Sequence, residues 1–191
     1  MITGILLAAG AGKRFGGGKL QQLLPDGLAI CVASVRNLAA AVNQVIAVVR
    51  PGDEATRALL SAQPNLHIVV CERAEQGMGH SLAAAVAASP IDANWVIALG
   101  DMPLIKPDTI RAVAAAIEQG APFAMPVYGG QRGHPVGIHS RFRAALLTLE
   151  GDAGARAIIA KHERQIHLIE TKDRGVLVDV DTVSDYQKLS I

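Results

Sequence analysis

The chain has 191 residues, enough to bury a sizeable core, and half of them are apolar. Only 3% are aromatic, which suits helices packed on a parallel sheet through small and branched aliphatics and leaves little for a base-stacking platform. The formal charge of +1 supplies no basic field, so nucleic acid is not an expected partner.

Ile2 to Ala9 reads as a buried strand that stops at Gly10. It is too short to span a membrane and has no basic n-region, so the expected compartment is the cytoplasm. A glycine-rich stretch, Gly10 to Gly18, follows. Leu28 to Val42 has helical periodicity, and Gln44 to Arg50 is a Val/Ile-rich strand bounded by Pro51-Gly52. Asp53 to Ala62 predicts a helix, Leu66 to Cys71 a strand, and Gly79 to Ala88 a helix. Asn94 to Leu99 is a further strand, ending at Gly100-Asp101-Met102-Pro103. Pro107 suits a first helical turn and opens a helix to Glu118. Phe123 to Tyr128 and Pro135 to His139 are short extended candidates. Helices are expected at Ser140–Leu149 and Asp152–His162, strands near Gln165–Glu170 and Val176–Val180, and a last helix from about Thr182.

Four rounds of strand–helix alternation predict an α/β fold with a mainly parallel, Rossmann-like sheet in three layers, α/β/α. No repeat or linker interrupts it, so residues 1–191 read as one domain. Cys31 and Cys71 form no CxxC pair and read as small buried hydrophobes.

Ligands of open α/β sheets bind beyond the carboxyl ends of the strands. Three unusual segments end strands there: Gly10–Lys19, Glu75–Ser81 and Gly100–Pro103. In the first, glycines let backbone N–H groups approach an anion, and Arg14 and Lys19 add charge, while Lys13 is left to solvent. Together they suit a polyphosphate. A Walker A motif is excluded because Gly18-Lys19 is followed by Leu20. The dinucleotide fingerprint G-x-G-x-x-G fails because Phe15 stands at its third glycine, and the second strand ends in Arg50, not an acidic residue. Asp101, after a hydrophobic strand and a glycine, places a carboxylate at the open sheet edge, where Mg²⁺ would find an oxygen ligand; a turn cap before Pro103 is the alternative. Ser81 near a helix start serves equally as a cap, and His80 reads as a surface residue. Asp152 and Arg156 are spaced as an i,i+4 helix pair. The remaining histidines, His67, His139, His162 and His167, have no metal-ligand spacing.

The segment Leu7-Ala8-Ala9-Gly10-Ala11-Gly12-Lys13-Arg14-Phe15-Gly16-Gly17-Gly18-Lys19 resembles the signature of nucleotidyltransferases with a GT-A-like fold, roughly L-A-(A/G)-G-x-(S/G)-x-R-(M/F)-G-x-x-K. Gly100-Asp101-Met102-Pro103, Gly133-His134-Pro135-Val136, Gly151-Asp152-Ala153-Gly154-Ala155-Arg156 and Asp179-Val180-Asp181-Thr182 with Asp185 extend the resemblance over nearly the whole chain, to the molybdenum cofactor nucleotidyltransferases. Ala8-Ala9-Gly10 is similar to the cytidylyltransferase branch. Gly17-Gly18 departs from the Pro or Gln usual before the lysine, and Asp26 to Cys31 lacks the usual Gly-x-Pro/Thr-Leu turn.

The resemblance implies an enzyme that moves CMP from CTP to the phosphate of Mo-molybdopterin, with Mg²⁺ or Mn²⁺ as cofactor. It also implies contact with a molybdoenzyme or its chaperone, and no membrane or nucleic acid. Arg14, Lys19 and Asp101 would be catalytic. Leu7, Ala8, Ala9, Gly10, Gly12, Arg14, Lys19, Gly77, Ser81, Gly100 and Asp101 would bind the nucleotide. Arg132, His134, Asp152 and Arg156 would meet the acceptor, and Asp101 with Asp181, in preference to Asp179, would hold the metal. The residues by themselves remain compatible with GTP as donor, with a sugar phosphate as acceptor, and with a non-catalytic nucleotide- or cofactor-binding protein.

Overall fold

The computed structural model describes residues 1–189. Its elements run β1 (Ile2–Leu7), α1 (Ile30–Ala39), β2 (Gln44–Val49), α2 (Glu54–Ser61), β3 (Leu66–Val70), α3 (Met78–Ala88), β4 (Asn94–Leu99), α4 (Pro107–Glu118), β5 (Phe123–Tyr128), β6 (Gln131–Arg132), β7 (Val136–Ile138), α5 (Arg143–Leu147), α6 (Arg156–Lys161), β8 (Ile166–Glu170) and α7 (Val183–Leu189). Short 3₁₀ turns lie between them. The strands form one mixed sheet in the order β3-β2-β1-β4-β7-β5-β6, with β8 on the other side of β5. β1 to β4 are mutually parallel, β7 is antiparallel to both β4 and β5, and β8 is parallel to β5.

The period-2 alternation of the strands divides the core into two layers. Leu6, Val45, Ala47, Val96 and Ala98 pack under α1 and α4, whereas Ile5, Ile46, Val48, Trp95 and Ile97 pack under α3 and α5. The three-layer α/β/α arrangement follows. α1 lies close on β1 because Gly4 carries no side chain: a Cβ there would stand 2.9 Å from Leu38 Cγ. Trp95 is fully buried, and its indole N–H donates to Ser89 Oγ at 3.0 Å. None of the described helices is long and apolar enough to cross a membrane.

The later part differs from expectation in three places. Ser140–Leu149 is a 3₁₀ turn followed by the short α5. The helix expected from Asp152 starts only at Arg156, because Gly154 sits at φ +51°, a left-handed conformation no helix contains. Val176–Val180 is not a strand. Residues 174–177 form a 3₁₀ turn whose leading Asp173 accepts hydrogen bonds from Lys106 N, Thr109 Oγ1 and Gly175 N, and the segment then runs alongside β4's end.

Chain order gives the site its position. β2 and β3 build outward on one side of β1, and β4 returns to the other side. The direction of winding therefore switches between β1 and β4, and a crevice opens beyond their carboxyl ends.

Candidate active site

That crevice is a cleft of about 440 Å³. Leu7, Ala8, Ala9 and Gly10 form its floor at the end of β1, and Lys19, Asp101, Gly77, Ser81 and Asp152 line its walls. Gly100 lies just beneath: its N–H donates to Leu7 O, and a Cβ there would stand 3.2 Å from the Ala8 Cβ, so a larger residue would push the two strand ends apart. Lys13, which the sequence leaves to solvent, also lines the cleft. Gly12 and Arg14 do not; Arg14 is 79% exposed and turns toward Asp181.

At the β4 end the charges form one network. Lys19 Nζ lies 2.6 Å from Asp101 Oδ2 and 3.2 Å from Asp181 Oδ1, and Arg14 Nη1 reaches the other Asp181 oxygen at 2.8 Å. Burial opposes the charge of Lys19, but its hydrogen bonds and attraction to Asp101, then to Asp181, outweigh this and raise its pKa above 10.5. Asp179 makes no hydrogen bond or ion pair with Lys19; its partial burial, then the neighbouring carboxylates of Asp181 and Asp101, raise its pKa. Two devices hold Asp181 here. Val180 N–H donates to Asp101 O at 3.0 Å, and Thr182 and Asp185 exchange N-terminal capping bonds that start α7. Tyr186 of α7 then donates to Leu23 O and meets Phe15 edge-on, tying the helix to the glycine-rich loop.

These residues fit a divalent cation. Asp101 Oδ1 is buried without a hydrogen-bond partner, and two carboxylates within reach of one ammonium make the oxygen-donor set that a hard ion such as Mg²⁺ or Mn²⁺ prefers.

The opposite wall is built on glycines. Gly77 has φ +126°, and a Cβ on it would stand 2.2 Å from the Gly151 carbonyl carbon and 2.6 Å from Asp152 N. Gly79 N–H donates to Gly151 O at 2.7 Å. The Gly151–Asp152 loop can therefore lie directly on the turn that opens α3. Ser81 is not the cap: Gly77 occupies that position, and Ser81 is buried inside the helix, facing the cleft. His80 is also buried rather than on the surface. Asp152 precedes α6 and makes no helical pair with Arg156 among the described residues, so the i,i+4 pair is not formed.

Of the other expected acceptor residues, Arg132, His134 and Arg156, none is among the residues lining the cleft; His134 lies close enough to Asp101 and Arg156 for both charges to act on its ring. Burial, above all, lowers the His134 pKa from its ordinary 6.5; Asp101 and Arg156 act on the ring in opposite senses. Its Nδ1 is buried without a partner. Arg132 is exposed and pairs with Glu163 at 3.3 Å. The sequence reading missed the position of Lys13 and of the Asp152 carboxylate. Neither has a signal beyond the motif itself, because both depend on how a glycine turn is folded.

Fold and site together define an α/β protein of the nucleotidyltransferase type. Residues 4–166 match the MobA-like NTP transferase domain, and the chain belongs to this family: it is a nucleotidyltransferase. It is 32% identical to nicotine blue oxidoreductase of Paenarthrobacter nicotinovorans, over 98% of this chain and 96% of that one. It is 29% identical to purine catabolism protein PucB of Bacillus subtilis, over 97% and 94%. Among solved structures, Rv0371c of Mycobacterium tuberculosis superposes with a TM-score of 0.87 at 29% identity, covering 99% of this chain and 96% of that one. A second structure of that protein is a complex with manganese, with a TM-score of 0.84 at 27% identity, covering 99% and 97%.

Proposed function

We propose that this protein transfers CMP from CTP to the phosphate of Mo-molybdopterin, forming molybdopterin cytosine dinucleotide and pyrophosphate. The observation that carries the reading is Lys19, set between Asp101 and Asp181 at the mouth of a cleft floored by Leu7-Ala8-Ala9-Gly10. The motif resemblance supports the choice of donor and acceptor.

A phosphate oxygen of the acceptor attacks the α-phosphorus of CTP; the bond from that phosphorus to the oxygen of the β-phosphate breaks, and pyrophosphate leaves with the electron pair. The acceptor is already an anion, so no strong general base is needed. What the protein must supply is alignment and charge. Lys19 leaves its carboxylates to bind the β- and γ-phosphates, Lys13 and Arg14 add positive charge at the mouth, and the backbone N–H groups of the glycine-rich loop meet the phosphate oxygens. Asp101, through its unpartnered Oδ1, and Asp181 would hold Mg²⁺ or Mn²⁺, which supplies charge neutralisation at the phosphate oxygens. His134, within electrostatic reach of Asp101 and Arg156, would meet the acceptor phosphate together with Arg156.

The name of one relative, an oxidoreductase, supports a second reading, a redox reaction, for which a nicotinamide dinucleotide is one candidate electron donor. Phe15, at the third glycine position of the dinucleotide fingerprint, argues against it. The test is pyrophosphate release from CTP with molybdopterin as acceptor, set beside sugar phosphates and beside NADH oxidation. Release with molybdopterin and not with sugar phosphates is expected. Release only with a sugar phosphate, or NADH oxidation alone, would replace the acceptor or the reaction class.

A further inference from the structure

The lining of the cleft changes along its length. Lys19, paired with Asp101, stands at the β4 end, where phosphates belong, and Lys13 also lines the cleft. Asp152 lines the other end, together with Gly77, Met78 and Ser81 at the start of α3. α3 packs mainly on β2 and β1. With strands about 4.8 Å apart, β2 lies about 10 Å from β4, room for a ribose between the triphosphate and this wall.

The position of Asp152 is set by backbone, not by a side-chain partner. The Gly151–Asp152 loop lies against Gly77 closely enough that no Cβ fits between them, and Gly79 N–H holds Gly151 O. The side chain of Met78 packs beside Gly154 of the same loop. The loop is thus part of the donor's wall, and its carboxylate is carried with it.

An ionised carboxylate only accepts hydrogen bonds, and it repels phosphate. At the nucleoside end a base edge offers it an N–H to accept from, the exocyclic amine of cytosine or guanine or a ring N–H such as uracil N3–H, and only the amine stands at the edge position where uracil has the O4 acceptor. Cytosine offers an N4 amine where uracil offers the O4 acceptor, and guanine offers an amine that hypoxanthine lacks. We infer that Asp152 reads the amino group of the donor's base, as a specificity-determining residue for the nucleotide rather than a contact of the acceptor. This rests on CTP as donor. A charge-assisted hydrogen bond made to cytosine and replaced by acceptor–acceptor repulsion with uracil corresponds to roughly 10- to 100-fold discrimination.

The test is calorimetric binding of CTP and UTP, and of GTP and ITP, to the full chain with Mg²⁺, comparing wild type with Asp152→Asn and Glu75→Gln. Asp152 is exposed, so the amide variant keeps the fold. Wild type should bind CTP roughly 10- to 100-fold more tightly than UTP. In Asp152→Asn the CTP/UTP ratio should collapse toward one, because the amide can turn its NH₂ to uracil O4. Glu75→Gln, on the same cleft, should keep the ratio. An unchanged ratio in Asp152→Asn, equal weakening of CTP and UTP, or a collapse seen only in Glu75→Gln overturns the inference. Wild type that prefers GTP to CTP overturns the donor reading instead, and the GTP/ITP ratio in the same variants then decides the role of Asp152.

Discussion

Replacing Lys19 with methionine keeps the length of the side chain and removes the charge that Asp101 and Asp181 share. The Lys19 side chain is 11% exposed, Asp101 21% and Asp181 32%. Removing one partner of a fully buried ion pair costs roughly 3–5 kcal/mol. Here Asp181 keeps Arg14 and is a third open to water, so most of the loss falls on Asp101, and about 2 kcal/mol is expected. With a urea m-value of about 2 kcal/mol/M, the unfolding midpoint of Lys19→Met should fall by about 1 M. The same carboxylates, freed of the ammonium, should hold Mn²⁺ more tightly. At 100 times its dissociation constant Mn²⁺ returns about 2.7 kcal/mol to the variant, and less to wild type, where Lys19 competes for the same oxygens. Urea unfolding followed by circular dichroism, with and without Mn²⁺, measures both effects. A variant that unfolds at the wild-type midpoint, or a wild type stabilised by Mn²⁺ as much as the variant, would refute the reasoning.

Gly77→Ala should lose about 3 kcal/mol of stability and most nucleotide affinity, since its methyl would stand 2.2 Å from the Gly151 carbonyl carbon in a left-handed conformation. Gly10→Ala, with open space around its Cβ, should unfold within about 0.5 kcal/mol of wild type in the same urea titration. His134 is half-buried, with its Nδ1 enclosed and its pKa lowered, so below about 6.5 the unfolded ring takes up a proton that the folded ring refuses. Stability should therefore fall as pH drops below about 6.5, by up to about 1.4 kcal/mol per pH unit from this group, and His134→Gln should flatten that part of the profile. An unchanged slope in the variant would assign the acid loss to other groups.

The first four strands and the helices after them are legible in the sequence because each carries its own periodicity and stop signal: Asn94–Leu99 and Pro107–Glu118 fall where the pattern puts them. What is not legible depends on distant partners. Val176–Val180 looks like a strand by composition, yet His134 N–H bonds Val176 O, and Val180 N–H bonds Asp101 O, and these fix it as an irregular segment. The insertion of β7 between β4 and β5 is likewise a matter of tertiary pairing, since three residues have no pattern of their own. In the site, the motif locates Lys19 and Asp101, but not that they touch. Nor does it tell Lys13 from Arg14, whose directions follow from a loop with glycines at positive φ. Asp152 shows the same limit: its spacing to Arg156 describes a helix that Gly154 prevents.

The central claim, nucleotidyl transfer from CTP, is tested most directly by pyrophosphate release with each of the four nucleoside triphosphates in turn, with Mg²⁺ and molybdopterin present. CTP should release pyrophosphate well ahead of the other three, and Asp101→Asn, folded by circular dichroism, should release none. Pyrophosphate release from no triphosphate, or undiminished release by Asp101→Asn, would contradict the account.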